Sequence, residues 1–312
     1  MDAQRLIVIT GPTASGKSGL ALNLAREYGA EIVSCDSMQV YRRMDIGTAK
    51  PSLEERGEVP HHLVDIVDLH ESFNVAHFQR LAYGAIADIC QRKALPLLVG
   101  GTMLYIKAIV EGYDFPDVRP DPALRRFLRA RAERLGSEGL HEYLKQRDPE
   151  AASRIHPRDL RRIMRGLEIY YGREHRGAGD EESGQSPLPV VLVALDWPRA
   201  ELYRRIEERV DQMLEVGLLD EVRQLYDDGY AEQLHRIRAL GYRELGHYLE
   251  GKCNLAEAVR LLKRNTRRYA KRQLTWLRRF EGIKWLRAGE NRATEEILAD
   301  ASRIVQEACR EA

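Results

Sequence analysis

Apolar residues run almost without interruption through Leu6–Thr10, 95–99 and 190–195, and a shorter run of the same kind covers 31–35. Continuous runs of this length, bounded by glycine or turn residues, read as strands buried on both faces of a sheet. Residues 63–67 are expected to add a further strand. Elsewhere the apolar spacing is helical. Residues 19–28 form one such stretch and 73–92 another, with Phe78, Leu81, Ala85 and Ile89 on one face. Strands alternating with helices predict an α/β fold with a parallel sheet and crossover helices. Further helices are predicted over 199–216, 218–228, 240–250 and 255–280, and there is no internal repeat.

Between the runs at 95–99 and 190–195 lies a long stretch with helical periods and no strand pattern. It follows a Pro-rich turn (Phe115-Pro116 to Asp121-Pro122) and ends in 176–189, rich in Gly, Asp, Glu, Ser and Pro, which reads as a mobile loop. The predicted organisation is an α/β core of residues 1–118 and 189–312 carrying a helical insertion, 119–188.

The chain has 312 residues, 44% hydrophobic and 31% charged, enough apolar material for a sizeable core. Disordered, collagen-like and disulfide-scaffold classes are excluded. Cys35, Cys90, Cys253 and Cys309 are scattered without metal-ligand spacing, so reduced thiols in a cytoplasmic protein are expected. No apolar run approaches the ~18 residues of a membrane span, and no secretory leader is expected. The chain is expected to act as a monomer, away from membranes.

A net charge of +1 hides a strong asymmetry. Residues 1–118 are net −4 and 119–176 net +6, while 260–287 carry 11 basic residues against one acidic. Two basic blocks suit a polyanion such as nucleic acid. They also suit solvated helix faces, and charge alone leaves both open.

Gly11-Pro12-Thr13-Ala14-Ser15-Gly16-Lys17-Ser18 satisfies GxxxxGK[ST] directly after a predicted strand and before a predicted helix. Its backbone N–H groups would converge on phosphate oxygens at the positive end of the helix. Lys17 would add a point charge, and the Ser18 hydroxyl would ligate Mg2+. The loop implies a di- or triphosphate without naming the reaction.

Phosphate-loop ATPases usually follow an apolar strand with a metal-binding Asp. Here the strand at 95–99 ends in Gly100-Gly101-Thr102, whereas 191–195 runs into Asp196, which fits either a metal-binding Asp or, the favoured reading, a strand-end turn. Asp36 ends the run at 31–35, where carboxyl ends of parallel strands face the ligand crevice. A carboxylate there serves as a general base, or simply caps a loop, and both roles stay open. The adjacent His61 and His62 would point to opposite faces of an extended segment, a poor metal site.

The motifs GPTASGKS (11–18), DSMQVY (36–41), GGTMLY (100–105), RIxxR (205–209), IRALGYRE (237–244) and TRRYAKRQLTWLRR (266–279) occur in the order seen in one family. The chain resembles the tRNA dimethylallyltransferases, or tRNA isopentenyltransferases, over essentially its whole length. That resemblance implies a P-loop NTPase-like fold and transfer of a dimethylallyl group from dimethylallyl diphosphate to N6 of adenine 37 of tRNA, beside the anticodon. Mg2+ is the implied cofactor.

By the same resemblance, Asp36 is the general base, while Lys17 and Arg209 stabilise the diphosphate leaving group. Asp36, Ser37, Met38 and Gln39 match a stretch holding the extruded base, and Thr102 matches a tRNA-contacting threonine. Arg161, Arg162, Ile163, Met164 and Arg165 match a tRNA-binding stretch in the insertion, expected on the anticodon stem-loop. Arg238, Ala239, Leu240, Gly241, Tyr242 and Arg243 match another.

Helix 259–280 aligns Val259, Leu262, Thr266, Tyr269, Gln273, Trp276 and Phe280, with Tyr269 and Trp276 reading as core. Arg260, Lys263, Arg264, Arg267, Lys271 and Arg278 spread over the rest, where phosphates could meet them. No zinc-finger signature of the eukaryotic relatives closes the chain. Prenyl transfer to free adenosine nucleotides would not need the basic insertion. A small-molecule kinase is disfavoured by Gly100-Gly101-Thr102, and a binding module without chemistry would leave Lys17, Ser18 and Asp36 without a shared purpose.

Overall fold

The computed structural model describes residues 5–113, 115, 121–174, 188–289 and 292–310. The loop expected at 176–189 lies largely outside them, as does most of the Pro-rich turn. The chain divides into two compact units, residues 1–113 with 185–312, and residues 114–184.

The first unit begins with β1 (Leu6–Thr10), α1 (Lys17–Tyr28), β2 (Ala30–Cys35), α2 (Leu53–Glu58) and β3 (His61–His62). It continues through α3 (Val75–Gln91), β4 (Leu95–Gly100) and α4 (Met103–Val110). The second unit holds α5 (Pro122–Lys145), α6 (Pro149–Ser153) and α7 (Leu160–Glu174). The chain then returns to the first unit with β5 (Val190–Asp196), α8 (Arg199–Glu215), α9 (Leu218–Asp227), α10 (Ala231–Ile237) and α11 (Tyr242–Leu249). It ends with α12 (Leu255–Leu277), β6 (Lys284–Arg287) and α13 (Thr294–Arg310).

Six strands pair in parallel in the order β3-β2-β4-β1-β5-β6 among the described residues. The connection leaving β1 runs one way along the sheet and that leaving β4 runs the other. The carboxyl ends of these neighbours therefore flank the crevice where such sheets bind ligands. Every residue of β1 is buried, as its unbroken apolar run requires. On one face Ile7, Ile9, Leu97 and Val193 pack with Leu24 of α1 and Ile297, Ala301 and Val305 of α13. On the other, Val8, Leu98 and Leu192 pack with Phe78, Ala82 and Ile86 of α3, Ile106 of α4 and Leu277 of α12. A third core joins Val210, Leu218, Val222, Tyr242, Leu245 and Leu262 of α8, α9, α11 and α12 to Val40 and Met44.

Residues 63–67 do not form the expected strand. The strand is His61–His62, paired with Ile32 and Val33. Leu63 and Asp65 adopt φ of 62° and 57°, left-handed values that turn the chain out of the sheet. The two histidines are spent separately: His62 Nε2 meets Glu31 at 2.7 Å, and His61 Nδ1 meets the Val59 carbonyl at 2.7 Å. The elements α2, α4, α10, β6 and α13 were not expected from the pattern.

The second unit has its own core of Leu128, Ala132, Leu140, Leu144, Ile163 and Leu167. Helix α5 is broken at Gly136, whose φ of 72° leaves the helical region. Part of the unit's basic block is structural. Glu168, 2% exposed, takes Arg125 and Arg165, while Arg131 and Arg147 stack on the Tyr143 ring at 3.9 and 3.4 Å. Among the described residues no helix is long and apolar enough to cross a membrane.

Phe78 is fully buried and stacks on Tyr105 with ring centroids 4.1 Å apart. Phe78→Ala should destabilise the first unit by about 3–5 kcal/mol. Urea unfolding should show this as a lowered midpoint at unchanged slope; a midpoint equal to wild type would mean that the sheet does not rely on this face.

Candidate active site

The phosphate loop leaves the carboxyl end of β1 and enters α1, as the motif requires. Gly16 sits at the helix N-cap with φ of 89°, a conformation that favours glycine. Ala14 is left-handed as well, at φ 63°, a strained state for a residue with a side chain. Three neighbours hold the loop. Arg205 Nε donates to the Ala14 carbonyl at 2.9 Å, Trp197 Nε1 to the Ser15 carbonyl at 2.9 Å, and Thr13 N to Gln273 Oε1 at 2.9 Å. With those carbonyls engaged from outside, the opening amides of α1, which have no acceptor within the helix, remain for an anion.

Gln273, 3% exposed, also donates through Nε2 to the Gly101 carbonyl at 2.7 Å. A Cβ on Gly101 would lie 2.5 Å from that nitrogen, so glycine is what lets the two loops share one carboxamide. Thr102 follows, and its Oγ1 accepts from Ser37 N at 3.0 Å. This ties the end of β4 to the turn after β2. In that turn Asp36 Oδ1 accepts from Met38 N at 2.8 Å and, longer, from Gln39 N at 3.4 Å. Asp36 therefore caps its loop. Its other oxygen, Oδ2, has no hydrogen bond among the described residues, so the capping and base roles are compatible.

Lys17, Arg205 and Arg209 crowd toward this loop. Burial, and after it the charge of Arg209, lowers the Lys17 amine to about 8, against the opposing pull of Asp36. Burial also lowers Arg209, where Asp36 acts in the opposite sense and Arg205 adds repulsion. Arg205 is lowered by burial and by Arg204, and its guanidinium lies over the Trp197 ring at 4.2 Å. Half-buried cations that repel one another, with one carboxylate among them, make a site that an anion would relieve.

A cavity of about 480 Å3 opens beside the loop. It is lined by Thr13, Ala14, Asp36, Ser37, Met38, Thr48, Arg209, Arg238, Arg243 and Tyr269, among others. Ile206, Val210 and Met213 of α8, with Leu218 and Leu262, form its apolar side. The structure thus brings together Asp36, Arg209, the phosphate loop and the 238–243 stretch. Glu244, 2% exposed, fixes that last stretch. It accepts from Gly241 N at 3.0 Å and Asn265 Nδ2 at 2.9 Å, and pairs with Arg243.

Several expected contact residues turn inward. The amide of Gln39 bridges Ser34 Oγ and the carbonyls of Thr48 and Ala49. Tyr242 is fully buried with its hydroxyl on Glu221 at 2.5 Å, and Ile163 is fully buried in the core of the second unit. Their side chains support the contact stretches from beneath. Trp276 packs against the core beside the sheet, but Tyr269, also expected there, lines the cavity. Among the basic residues of α12, Lys263 pairs with Asp211, Arg267 with Glu207 and Arg260 with Glu257. Arg268 and Arg272, absent from the expected set, line the cavity instead. Gln273 and Arg205 were also missed as loop holders, although both lie inside the motifs quoted above. Asp196 ends β5, and its backbone carbonyl accepts from Ala288 N at 2.8 Å.

Residues 39–280 match the IPP transferase family. The chain belongs to this family. It is 52% identical over 283 residues to a tRNA dimethylallyltransferase of Desulforudis audaxviator, covering 90% of this chain and 91% of that one. It is 42% identical to the full-length tRNA isopentenylpyrophosphate transferase of Bacillus halodurans, with a TM-score of 0.73 and coverage of 100% of this chain and 98% of that chain. A eukaryotic dimethylallyltransferase captured acting on tRNA is 29% identical, with a TM-score of 0.82 over 98% of this chain and 80% of that chain.

The lowered Lys17 amine gives a pH dependence with a definite sign. Below about pH 8 Lys17 is already protonated and meets a diphosphate as a cation. Above it, binding must first recharge the amine, so affinity for a diphosphate monoester should fall by up to about tenfold per pH unit. Calorimetric titration across pH 7–9 checks this, and Lys17→Met should bind more weakly at neutral pH and lose the step at pH 8. A wild-type affinity flat from pH 7 to 9 would mean that no titration of Lys17 in that range is coupled to anion binding.

Proposed function

We propose that the chain transfers a dimethylallyl group from dimethylallyl diphosphate to N6 of adenine 37 in tRNA, giving N6-isopentenyladenosine and diphosphate. The observation that carries this reading is the crowding of Lys17, Arg205 and Arg209 around the phosphate loop, with Arg209 and the Asp36 carboxylate lining one cavity that has an apolar side. The names of the relatives support the substrate pair.

Lys17, Arg209 and the opening amides of α1 hold the diphosphate. The adenine N6 lone pair attacks the allylic C1, the C1–O bond breaks, and its electron pair leaves on the diphosphate. Preorganised cations stabilise the charge that develops there. Asp36 Oδ2 takes the N6 proton, while Oδ1 stays on the backbone amides that orient the carboxylate. Base flipping from the anticodon loop brings the adenine to the carboxylate, with Thr102 steadying the 36–39 turn.

Mg2+ is part of this proposal. The donor set fits an ion carried mainly by the substrate: Ser18 supplies an exposed hydroxyl at the start of α1, and no cluster of three or more acidic, His or Cys residues is found among the described residues. Bound there, the ion would neutralise charge on the diphosphate. In the second unit, Arg161 and Arg162 are exposed on α7 and would meet phosphates of the anticodon stem-loop.

Incubation with unmodified tRNA and dimethylallyl diphosphate, followed by mass analysis of nucleosides, should show N6-isopentenyladenosine. Asp36→Asn should lower turnover by about 10²–10⁴-fold with tRNA affinity nearly unchanged. Turnover above about half of wild type would reduce Asp36 to a loop cap. Replacing Arg161 and Arg162 by Ala should weaken tRNA binding and flatten its log–log salt dependence by roughly one unit per lost contact. Arg165 is best left in place, because it also pairs with buried Glu168. An unchanged slope would remove α7 from the interface.

A further inference from the structure

The apolar side of the cavity is drawn from one stripe of α8. Ile206, Val210 and Met213 follow at helical spacing, with Arg209 beside them. Ile206 packs against Ala14 of the phosphate loop, which fixes the diphosphate end of the stripe. Met213 lies seven residues further on, about 10 Å along the axis at 1.5 Å per residue. That is roughly the span of a diphosphate followed by one five-carbon unit, at about 1.5 Å per bond.

Arg209, Gln212, Met213 and Val216, a neighbouring face of the same helix, line a second cavity of about 470 Å3. Ile46, Ala49, Pro51, Leu53 and Val216 give it an apolar part beside the polar Asp45, Lys50, Ser52, Arg56 and Gln212, and Leu53 and Val216 are 80% and 68% exposed. The two cavities have only two lining residues in common, Arg209 and Met213. Arg209 is held among the charges of the diphosphate site, whereas Met213 is apolar, unbranched and partly buried. Such a side chain fills irregular space and yields when shortened.

We infer that Met213 is the specificity-determining residue for prenyl length: it closes the donor pocket behind one isoprene unit, and a shorter side chain opens the pocket into the second cavity. The inference rests on the donor reading above. The chemistry is the same for a longer donor: C1–O breaks, C1–N6 forms, the diphosphate leaves with the electron pair, and Asp36 receives the proton. Only the chain behind C3 differs.

The test compares kcat/KM for dimethylallyl and geranyl diphosphates in wild type and Met213→Ala. The ten- to two-hundred-fold range typical of small apolar discriminations sets the scale. The geranyl-to-dimethylallyl ratio should rise by at least about tenfold in Met213→Ala, whereas Met213→Leu, which keeps the bulk, should hold the wild-type ratio. Met213→Val serves if the Ala variant fails to fold. An unchanged ratio in a folded Ala or Val variant overturns the inference while leaving the donor reading intact. Wild-type protein that transfers no dimethylallyl group would overturn the donor reading itself, and that result precedes any substitution.

Discussion

Gln273 sits on α12, 260 residues from Thr13 and 172 from Gly101, yet its carboxamide bonds to both. One buried amide accepts from the phosphate loop and donates to the loop after β4, so the ends of two central strands are set by a helix near the end of the chain. The bond to Gly101 is buried and that to Thr13 partly so, and a buried partner left unmade costs about 1–3 kcal/mol. Arg205 and Trp197 reinforce the arrangement by binding the Ala14 and Ser15 carbonyls. The strained turn at Ala14 persists because its surroundings over-determine it.

With the loop so fixed, electrostatics gives the site its character. Burial lowers the proton affinity of both Lys17 and Arg209, the charge of Arg209 lowers Lys17 further and that of Arg205 lowers Arg209, and Asp36 offsets this only in part. A site built for an uncharged ligand would gain nothing from that crowding. In the proposed reaction a diphosphate would relieve it, and more so as leaving-group charge grows. The proposed base role of Asp36 suits this setting, because one oxygen is tied down by a backbone amide while the other is left for a proton.

The abundant arginines divide into distinct kinds. Arg125, Arg131 and Arg147 brace the second unit, and Lys263 and Arg267 tie α12 to α8 through Asp211 and Glu207. Arg161 and Arg162 of α7 are exposed, and Arg268 and Arg272 line the cavity. Counting positive charge along the chain therefore overstates the surface available to phosphates. Partners on neighbouring helices decide which cations are spent internally.

The parallel sheet and the phosphate loop were legible in the sequence because each depends on local pattern. Unbroken apolar runs can be satisfied only inside a sheet, and GPTASGKS needs only its own strand and helix. The helical character of the insertion was legible for the same reason. Strand β6 was not, since only Leu286 of its four residues is buried. Helix α13 did carry a spaced apolar stripe, Ile297, Ala301, Val305 and Ala308, that could have been read. The place of Tyr269 in the cavity, the internal duties of Gln39 and Tyr242, and the bridge made by Gln273 belong to tertiary structure. One helix face meets both core and cavity along its length, and a sequence records the face but not the neighbour that each residue on it will meet.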